Sequence, residues 1–158
     1  MGRWLEHTVT CNIQSPIEEV WAVWTDLQAM PKWMSWIESV KTVNEATTTL
    51  PELTEWTLAA NGFRFQWKAK ITERIETKKL QWESVGGLPT KGVVRFYPDK
   101  NQTEVKLSVT YELPRVLAPV MEPTILGSMV TKELQANLDR FGDLVETGYG
   151  ASLLKNID

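Results

Sequence analysis

The sequence contains very few residues of the two types that most often carry metal or nucleophilic chemistry. Its 158 residues include one histidine, His7, and one cysteine, Cys11. This excludes a zinc site built from several histidines and cysteines, and it excludes an internal disulfide framework. A single cysteine also fits a reducing compartment. Both residues fall on the apolar side of an alternating stretch, so we expect His7 to be a hydrogen-bonded core residue and Cys11 to pack as a small hydrophobe.

Long apolar runs and clustered positive charges are also missing. No stretch approaches the roughly 20 apolar residues of a transmembrane helix, and the N-terminal MGRWLEHT lacks the apolar core of a signal peptide. The net charge is -3 and the lysines and arginines are dispersed, which disfavours binding to nucleic acid or to an anionic membrane surface. We therefore expect a cytoplasmic protein that binds no nucleic acid and has no stable membrane insertion.

Sequence motifs of the common catalytic sites are absent as well. The chain has no G-x-S-x-G nucleophile elbow, no Walker A loop and no G-x-G-x-x-G fingerprint. A turn and the start of a strand explain Gly86-Gly87 and Gly92 better than a phosphate-binding loop does. The carboxylates of the predicted strands fall mostly on the polar side. We therefore predict no catalytic residue, no metal site and no cofactor.

Tryptophan, by contrast, is abundant, and four of the eight tryptophans lie between Ser15 and Trp36. This segment begins with a Ser-x-x-Glu signature, in which Ser15 would cap a helix and Glu18 would close a capping box. Apolar residues then recur on one helical face until a proline interrupts the pattern. The pattern predicts a short amphipathic helix followed by a shorter one. We expect Trp21 and Trp24 to pack beneath a sheet rather than to contact a ligand.

Most of the remaining chain alternates between apolar and polar residues, which is typical of half-buried strands. One strand precedes the helices, another follows at Ile37–Asn44, and five more run from Glu52 to Leu113. The clearest alternation spans Phe63–Ile71, just after the hairpin turn signal Asn61-Gly62. Strands joined by short turns predict an antiparallel sheet of about seven strands with one dry face.

A long C-terminal helix is predicted to cover that dry face. Apolar residues recur at helical spacing from Leu126 to Val145, and Thr147-Gly148 is a suitable stop. The proline-punctuated apolar segment Val116–Ile125 predicts an irregular stretch before this helix. We predict a single domain over residues 1–148, with the element order β-α-α-β6-α, followed by a loosely held C-terminal tail over residues 149–158.

Several residue strings stand in a characteristic order over most of the chain, from Leu5 to Glu146. The strings are SPIEEVW at 15–21 with Asp26 and Trp33 downstream, LQWES at 80–84, GVVRF at 92–96, TEVKL at 103–107 and YELP at 111–114. Together with the element order they resemble the START-like, or Bet v 1-like, helix-grip superfamily (SRPBCC), and within it the polyketide cyclase/dehydrase and lipid-transport group. The resemblance implies an α+β helix-grip fold, in which a curved antiparallel β-sheet wraps around a long C-terminal α-helix with a hydrophobic cavity between them.

The residues alone leave open whether the aromatic side chains of the dry face fill a solid core or frame a pocket, and the resemblance favours a pocket. In a pocket, Ser84 and Tyr111 would supply polar groups that orient a ligand, with His7 as a weaker third. The predicted ligand-binding residues are Trp56, Phe63, Phe65, Trp67, Trp82, Ser84, Val94, Phe96, Leu107, Val109, Tyr111, Leu126, Met129, Val130 and Leu134.

The resemblance implies binding or transport of a hydrophobic small molecule, such as a lipid, a quinone or a polyketide-like compound. The segment Leu113–Met129 would then act as the gate. One alternative is a polyketide aromatase/cyclase-like enzyme, which would use Tyr111, Ser84 or His7 to move protons. A second alternative is a coenzyme Q-type quinone chaperone. The missing catalytic motifs favour a binder, and the sequence leaves open whether any reaction is catalysed.

Overall fold

The protein is described by a computed structural model over residues 3–48, 51–60, 62–117 and 122–155. Its elements in chain order are β1 (Trp4–Ile13), α1 (Ile17–Thr25), a 3₁₀ helix (Leu27–Lys32), β2 (Ile37–Asn44), β3 (Leu53–Ala60), β4 (Phe63–Ile75), β5 (Lys79–Gly87), β6 (Thr90–Asp99), β7 (Gln102–Glu112), α2 (Pro123–Glu146) and α3 (Tyr149–Lys155). The seven strands form one antiparallel sheet in the order β1-β7-β6-β5-β4-β3-β2. The predicted helix-grip fold is confirmed.

The alternation of apolar and polar residues determines which face of the sheet is buried. In the β1–β7 pair, Val9 lies opposite Leu107 and both are buried, whereas the neighbouring Thr8 and Ser108 pair through their hydroxyl groups on the outer face. Burying each such aliphatic side chain contributes about 1.5–3 kcal/mol. A shift of one residue would turn the apolar set to water, so the same pattern also fixes the register.

Sequence neighbours β1 and β2 lie at opposite edges of the sheet, and α1 and the 3₁₀ helix connect them. A cluster of aromatic side chains joins these helices to the sheet and to α2. Trp24 is at its centre, with ring centroids 5.0 Å from Trp33, 5.1 Å from Phe141 and 6.1 Å from Phe96. This cluster fills one part of the interior with solid core.

The predicted capping box at the start of α1 is wrong. The helix begins at Ile17 with Pro16 as its N-cap, and no side chain makes a capping hydrogen bond. Ser15 is buried, and its carbonyl oxygen accepts a hydrogen bond of 3.0 Å from the Thr103 hydroxyl on β7. The turn between β1 and α1 is therefore anchored to the sheet rather than stabilised by a local cap.

Helix α2 begins at Pro123, which suits the first helical position because its missing N–H would have no helical partner there. Glu122 caps it, with a side-chain oxygen accepting a hydrogen bond of 3.2 Å from the backbone N–H of Ile125. Residues 118–121 of the predicted irregular segment and gate lie outside the described residues. Within the described residues, no helix is both long and apolar enough to cross a membrane.

Residues 149–155, which the sequence places in the C-terminal tail, form the short helix α3. The phenol oxygen of Tyr149 lies 3.1 Å from the Lys32 ammonium nitrogen, at the end of the 3₁₀ helix. Gly150 is packed so closely on α1 that a Cβ atom there would lie 2.4 Å from the carbonyl oxygen of Glu19. Helix α3 is thus docked on the outside of the two short helices.

Candidate ligand-binding cavity

A cavity of about 190 Å³ lies between the sheet and α2. Its wall consists of hydrocarbon, methionine and aromatic side chains, with Thr90, Tyr111 and Asn137 as the polar residues among them. Twelve of the fifteen residues predicted from the sequence line it: Trp56, Phe63, Phe65, Trp67, Trp82, Leu107, Val109, Tyr111, Leu126, Met129, Val130 and Leu134. The dry face of the sheet and one stripe of α2 therefore meet around empty space rather than around a fully packed interior.

Three of the predicted ligand-binding residues do not line this cavity. Val94 and Phe96 are buried on β6, and Phe96 is held in the aromatic cluster around Trp24. Ser84 is half-buried on β5, where its hydroxyl oxygen accepts a hydrogen bond of 3.0 Å from the backbone N–H of Thr90. The hydroxyl of Ser84 thus fastens the β5–β6 connection.

Other lining residues lie outside the predicted set: Trp24, Met30, Met34, Trp36, Ile37, Leu58, Ala60, Leu88, Thr90, Pro114, Leu117 and Asn137. Trp24 was expected to pack beneath the sheet rather than to contact a ligand; it packs in the aromatic cluster and also lines the cavity. The alternation that includes Trp56 continues to Leu58, and the helical spacing from Leu134 continues to Asn137. The sequence pattern therefore contained enough information to predict Leu58 and Asn137 as lining residues. No periodicity marks Met34, which follows the 3₁₀ helix.

Flat aromatic faces form part of the wall contributed by β3 and β4. Trp56 and Trp67 lie directly opposite in the strand register, with parallel rings whose centroids are 5.9 Å apart. The indole N–H of Trp56 donates a hydrogen bond of 2.8 Å to the Thr54 hydroxyl, which fixes the plane of the ring. Phe63 and Phe65 are also nearly parallel, at 6.4 Å. These four rings line the cavity with flat aromatic surface.

The indole of Trp82 owes its position to the glycine opposite it. Trp82 on β5 pairs with Gly92 on β6. A Cβ atom at Gly92 would lie 2.4 Å from Cζ2 of the indole, so only glycine allows the ring to rest on the β6 backbone at this point. Within the strand segment Gly92-Val93-Val94, the missing side chain at Gly92 leaves space that the Trp82 indole occupies.

A chain of polar contacts links the cavity wall to α2. Tyr111 Oη lies 3.1 Å from Nε2 of His7, and Nδ1 of His7 lies 2.9 Å from Oγ1 of Thr131. The Thr131 hydroxyl also donates a hydrogen bond of 2.9 Å to the carbonyl oxygen of Gly127.

The number of available protons determines which atom donates in each of these contacts. The Thr131 hydroxyl has one proton, which it gives to Gly127, so it accepts from Nδ1–H of His7. Nε2 is then an acceptor, and the Tyr111 hydroxyl donates to it. This is the assignment that makes all three contacts hydrogen bonds. It leaves the oxygen of Tyr111 able to accept one more hydrogen bond.

Burial shifts the pKa values of both ring systems toward their neutral forms. Desolvation lowers the pKa of His7 below its ordinary 6.5 and raises the pKa of Tyr111 to about 12. The imidazole and the phenol are therefore both uncharged at neutral pH. The pair therefore rests as a neutral phenol that donates its proton to a neutral imidazole.

Further buried donors lie among the tryptophans. The indole nitrogens of Trp24 and Trp67 are buried and have no hydrogen-bond partner within the described part of the chain. In the same ranges, no group of three or more histidine, cysteine, aspartate or glutamate side chains is placed to hold a metal ion. The polar chemistry of the cavity is thus that of neutral donors and acceptors.

Comparison with known proteins assigns the chain to a family. The sequence profile of the family described as polyketide cyclase/dehydrase and lipid transport matches residues 13–139, which is most of the chain. The chain belongs to this family. A relative from Streptomyces lincolnensis, an uncharacterised 17.2 kDa protein in the melC2-rnhH intergenic region, is 30% identical over 133 residues, or 83% of each chain.

Solved structures share the helix-grip architecture of this family member. A START superfamily protein from Mycobacterium smegmatis superposes with a TM-score of 0.74 at 14% identity, covering 92% of this chain and 99% of that one. The Zhui aromatase/cyclase from a Streptomyces species superposes with a TM-score of 0.71 at 17% identity, covering 94% and 96%. At these identities the likeness concerns the fold.

Proposed function

We propose that this protein binds an apolar small molecule in the cavity between the sheet and α2 and serves as a carrier for it. The observation that supports this most is the wall itself, in which aromatic and aliphatic side chains surround space with only a few polar groups. Ligand sites for apolar molecules have this composition. Membership of a family that combines polyketide cyclases and dehydrases with lipid transport agrees with it.

The size of the cavity favours a compact ligand. Its volume is about 190 Å³, below the roughly 300–1,000 Å³ typical of pockets for drug-sized molecules. An engineered apolar cavity of about 150 Å³ takes up benzene. A one- or two-ring compound, a short acyl chain or the head of a quinone therefore fits the proposal better than a fully enclosed long polyketide.

Blocking the cavity provides the test. Val109 lies on the wall, so Val109→Phe should fill the space and remove binding. Val85 is 52% exposed on β5 and lies outside the cavity, so Val85→Phe is the matched control. Tryptophan emission would be followed during titration with naphthoquinones, fatty acids and bicyclic aromatic compounds, and native mass spectrometry would show any ligand retained after gentle purification.

The carrier proposal expects a retained ligand or a saturable change in emission in the wild-type protein and in Val85→Phe, and neither in Val109→Phe. Saturable binding of a quinone but of no fatty acid would narrow it to a quinone chaperone. A clean apo mass together with no emission change for any compound in the panel would overturn it.

A second candidate, a polyketide aromatase/cyclase-like enzyme, is favoured by the contact between Tyr111 and His7. Ring closure needs a group that moves protons, and a phenol that donates to a buried neutral imidazole is such a group. Any turnover detected with a short polyketide mimic should then fall at least tenfold in Tyr111→Phe. Unchanged turnover in that variant would remove these two residues from the mechanism.

A further inference from the structure

Asn137 is a polar residue in the largely apolar wall of the cavity. It is 1% exposed, it lies on α2 three residues after Leu134, and it forms part of the cavity wall. A buried amide costs free energy unless both its oxygen and its nitrogen find hydrogen-bond partners. The partners of its two ends are therefore informative.

The oxygen of this amide is fully engaged. Oδ1 of Asn137 accepts from the backbone N–H of Ser35 at 3.3 Å and from the guanidinium of Arg140. Both groups can only donate, so the oxygen must face them and the orientation of the amide is fixed. Arg140 is itself held in place, because its Nε donates to the carbonyl oxygen of Trp33 at 3.2 Å.

The nitrogen of the amide is, by contrast, available. Hydrogen bonds of Asn137 to the described residues all go to Oδ1, and Nδ2 keeps some accessible surface. Two N–H donors thus remain on a residue of the cavity wall. The contacts of Oδ1 with Ser35 and Arg140 hold the amide in this orientation.

We propose that Asn137 is the hydrogen-bond donor that orients the ligand of this cavity, and that the ligand is a neutral apolar molecule with a carbonyl oxygen. This inference rests on the proposed binding function. A neutral carbonyl matches the site because an amide N–H donates well to it. The charged guanidinium of Arg140 already has its acceptors in Asn137, Glu133 and Trp33. Asn137 would fix which end of the ligand faces α2.

Asn137 could instead serve only to tie α2 to the turn that carries Ser35. The two roles use opposite ends of the amide, so different variants separate them. Asn137→Asp keeps an oxygen for Ser35 and Arg140 and removes the donor. Asn137→Leu removes both ends. Ser35→Ala removes the hydroxyl that also contacts Oδ1 and Glu133 and leaves the donor intact.

The experiment compares 1-tetralone with tetralin, two compounds of the same ring system that differ by the carbonyl group. Their dissociation constants would be measured by tryptophan emission for the wild-type protein and the three variants. One hydrogen bond of ordinary strength corresponds to about three- to tenfold in affinity. We expect the preference for tetralone relative to tetralin to fall by about that factor in Asn137→Asp and Asn137→Leu, and to stay unchanged in Ser35→Ala.

The outcomes distinguish this inference from the proposal beneath it. If both compounds bind and their ratio is the same in all four proteins, Asn137 is a structural residue and the inference is overturned, while the carrier proposal stands. If the ratio falls in Ser35→Ala as well, the network rather than the donor controls affinity, which also overturns it. If neither compound binds the wild-type protein, the inference is overturned, and the carrier proposal is decided separately by the titrations with quinones and fatty acids and by native mass spectrometry. Because Asn137→Asp preserves the contact with Arg140, it remains informative should Asn137→Leu not fold.

Discussion

The hydroxyl of Tyr111 lies 3.1 Å from Nε2 of His7, although the two residues are 104 positions apart in the sequence. Antiparallel pairing of the first and last strands brings them together, since Leu5 lies opposite Tyr111 and His7 opposite Val109. The contact is therefore a product of the sheet register. It joins the sole imidazole of the chain to a phenol on the cavity wall.

The first prediction concerns pH. Burial lowers the pKa of His7 from its ordinary 6.5, so the unfolded chain takes up a proton near pH 6.5 whereas the folded protein does so only at lower pH. Because the unfolded state then binds more protons, the free energy of unfolding should fall as the pH drops below about 6.5. Urea denaturation at several pH values between about 5.5 and 7.5 would measure it. His7→Gln should flatten the profile, and parallel profiles for the two proteins would exclude His7 as the cause.

The second prediction concerns the phenol itself. Tyr111→Phe leaves the buried Nε2 of His7 without its donor, so the free energy of unfolding should fall by about 1–3 kcal/mol. Tyr97→Phe removes the same hydroxyl from a side chain that is 46% exposed, and it should change little. Urea denaturation of both variants at pH 7 makes the comparison. Equal effects would mean that the contact with His7 adds nothing to stability.

The third prediction concerns the space at Gly92 that the Trp82 indole occupies. In Gly92→Ala the new Cβ would overlap the indole, so the ring or the strand must shift, at a cost of about 1–3 kcal/mol. Gly86→Ala makes the same change on β5, where nothing lies within 4 Å of the added atom. We expect a lower midpoint of thermal unfolding and an altered near-UV circular dichroism spectrum for Gly92→Ala alone. Wild-type spectra in both variants would contradict the proposed overlap.

The fourth prediction concerns Cys11. Burial, together with Asp139, Glu146 and Asp143 nearby, raises the pKa of the Cys11 thiol to about 11. Fewer molecules carry the reactive thiolate at pH 8, and the higher intrinsic nucleophilicity of a more basic thiolate offsets only part of this. Alkylation by iodoacetamide should be about tenfold slower in the folded protein than in urea. Equal rates in the two conditions would show that the thiol is not protected.

The fold could be predicted because its signals repeat along the chain. Alternation places Trp56, Trp67 and Val109 on one face whatever the neighbouring strands do, and the helical spacing from Leu126 to Val145 defines one covering stripe. Both patterns act over many residues, so a local error does not change the outcome. The capping box at Ser15 depends on one side chain, and the hydrogen bond from Thr103 to the Ser15 carbonyl, 88 positions away, belongs to a different turn geometry.

The cavity wall could be predicted only in part, because facing inward is not the same as facing the cavity. Phe96 and Val109 share the dry face, yet Phe96 meets the aromatic cluster of α1 and Val109 meets open space. The positions of the helices decide between these outcomes, and no strand pattern encodes them. Asn137 was not predicted as a lining residue because a polar residue interrupts the apolar stripe of the helix.

The strand order also determines when this protein can fold. Every other neighbouring pair in the sheet joins consecutive strands, but β1 has β7 as its partner, so Val9 must wait for Leu107 to be synthesised. Such distant pairing has a high loop-closure cost and slows folding. On the ribosome, the first strand would remain an unpaired apolar edge until almost the whole sheet has emerged, which is the period in which a nascent chain is most prone to aggregate.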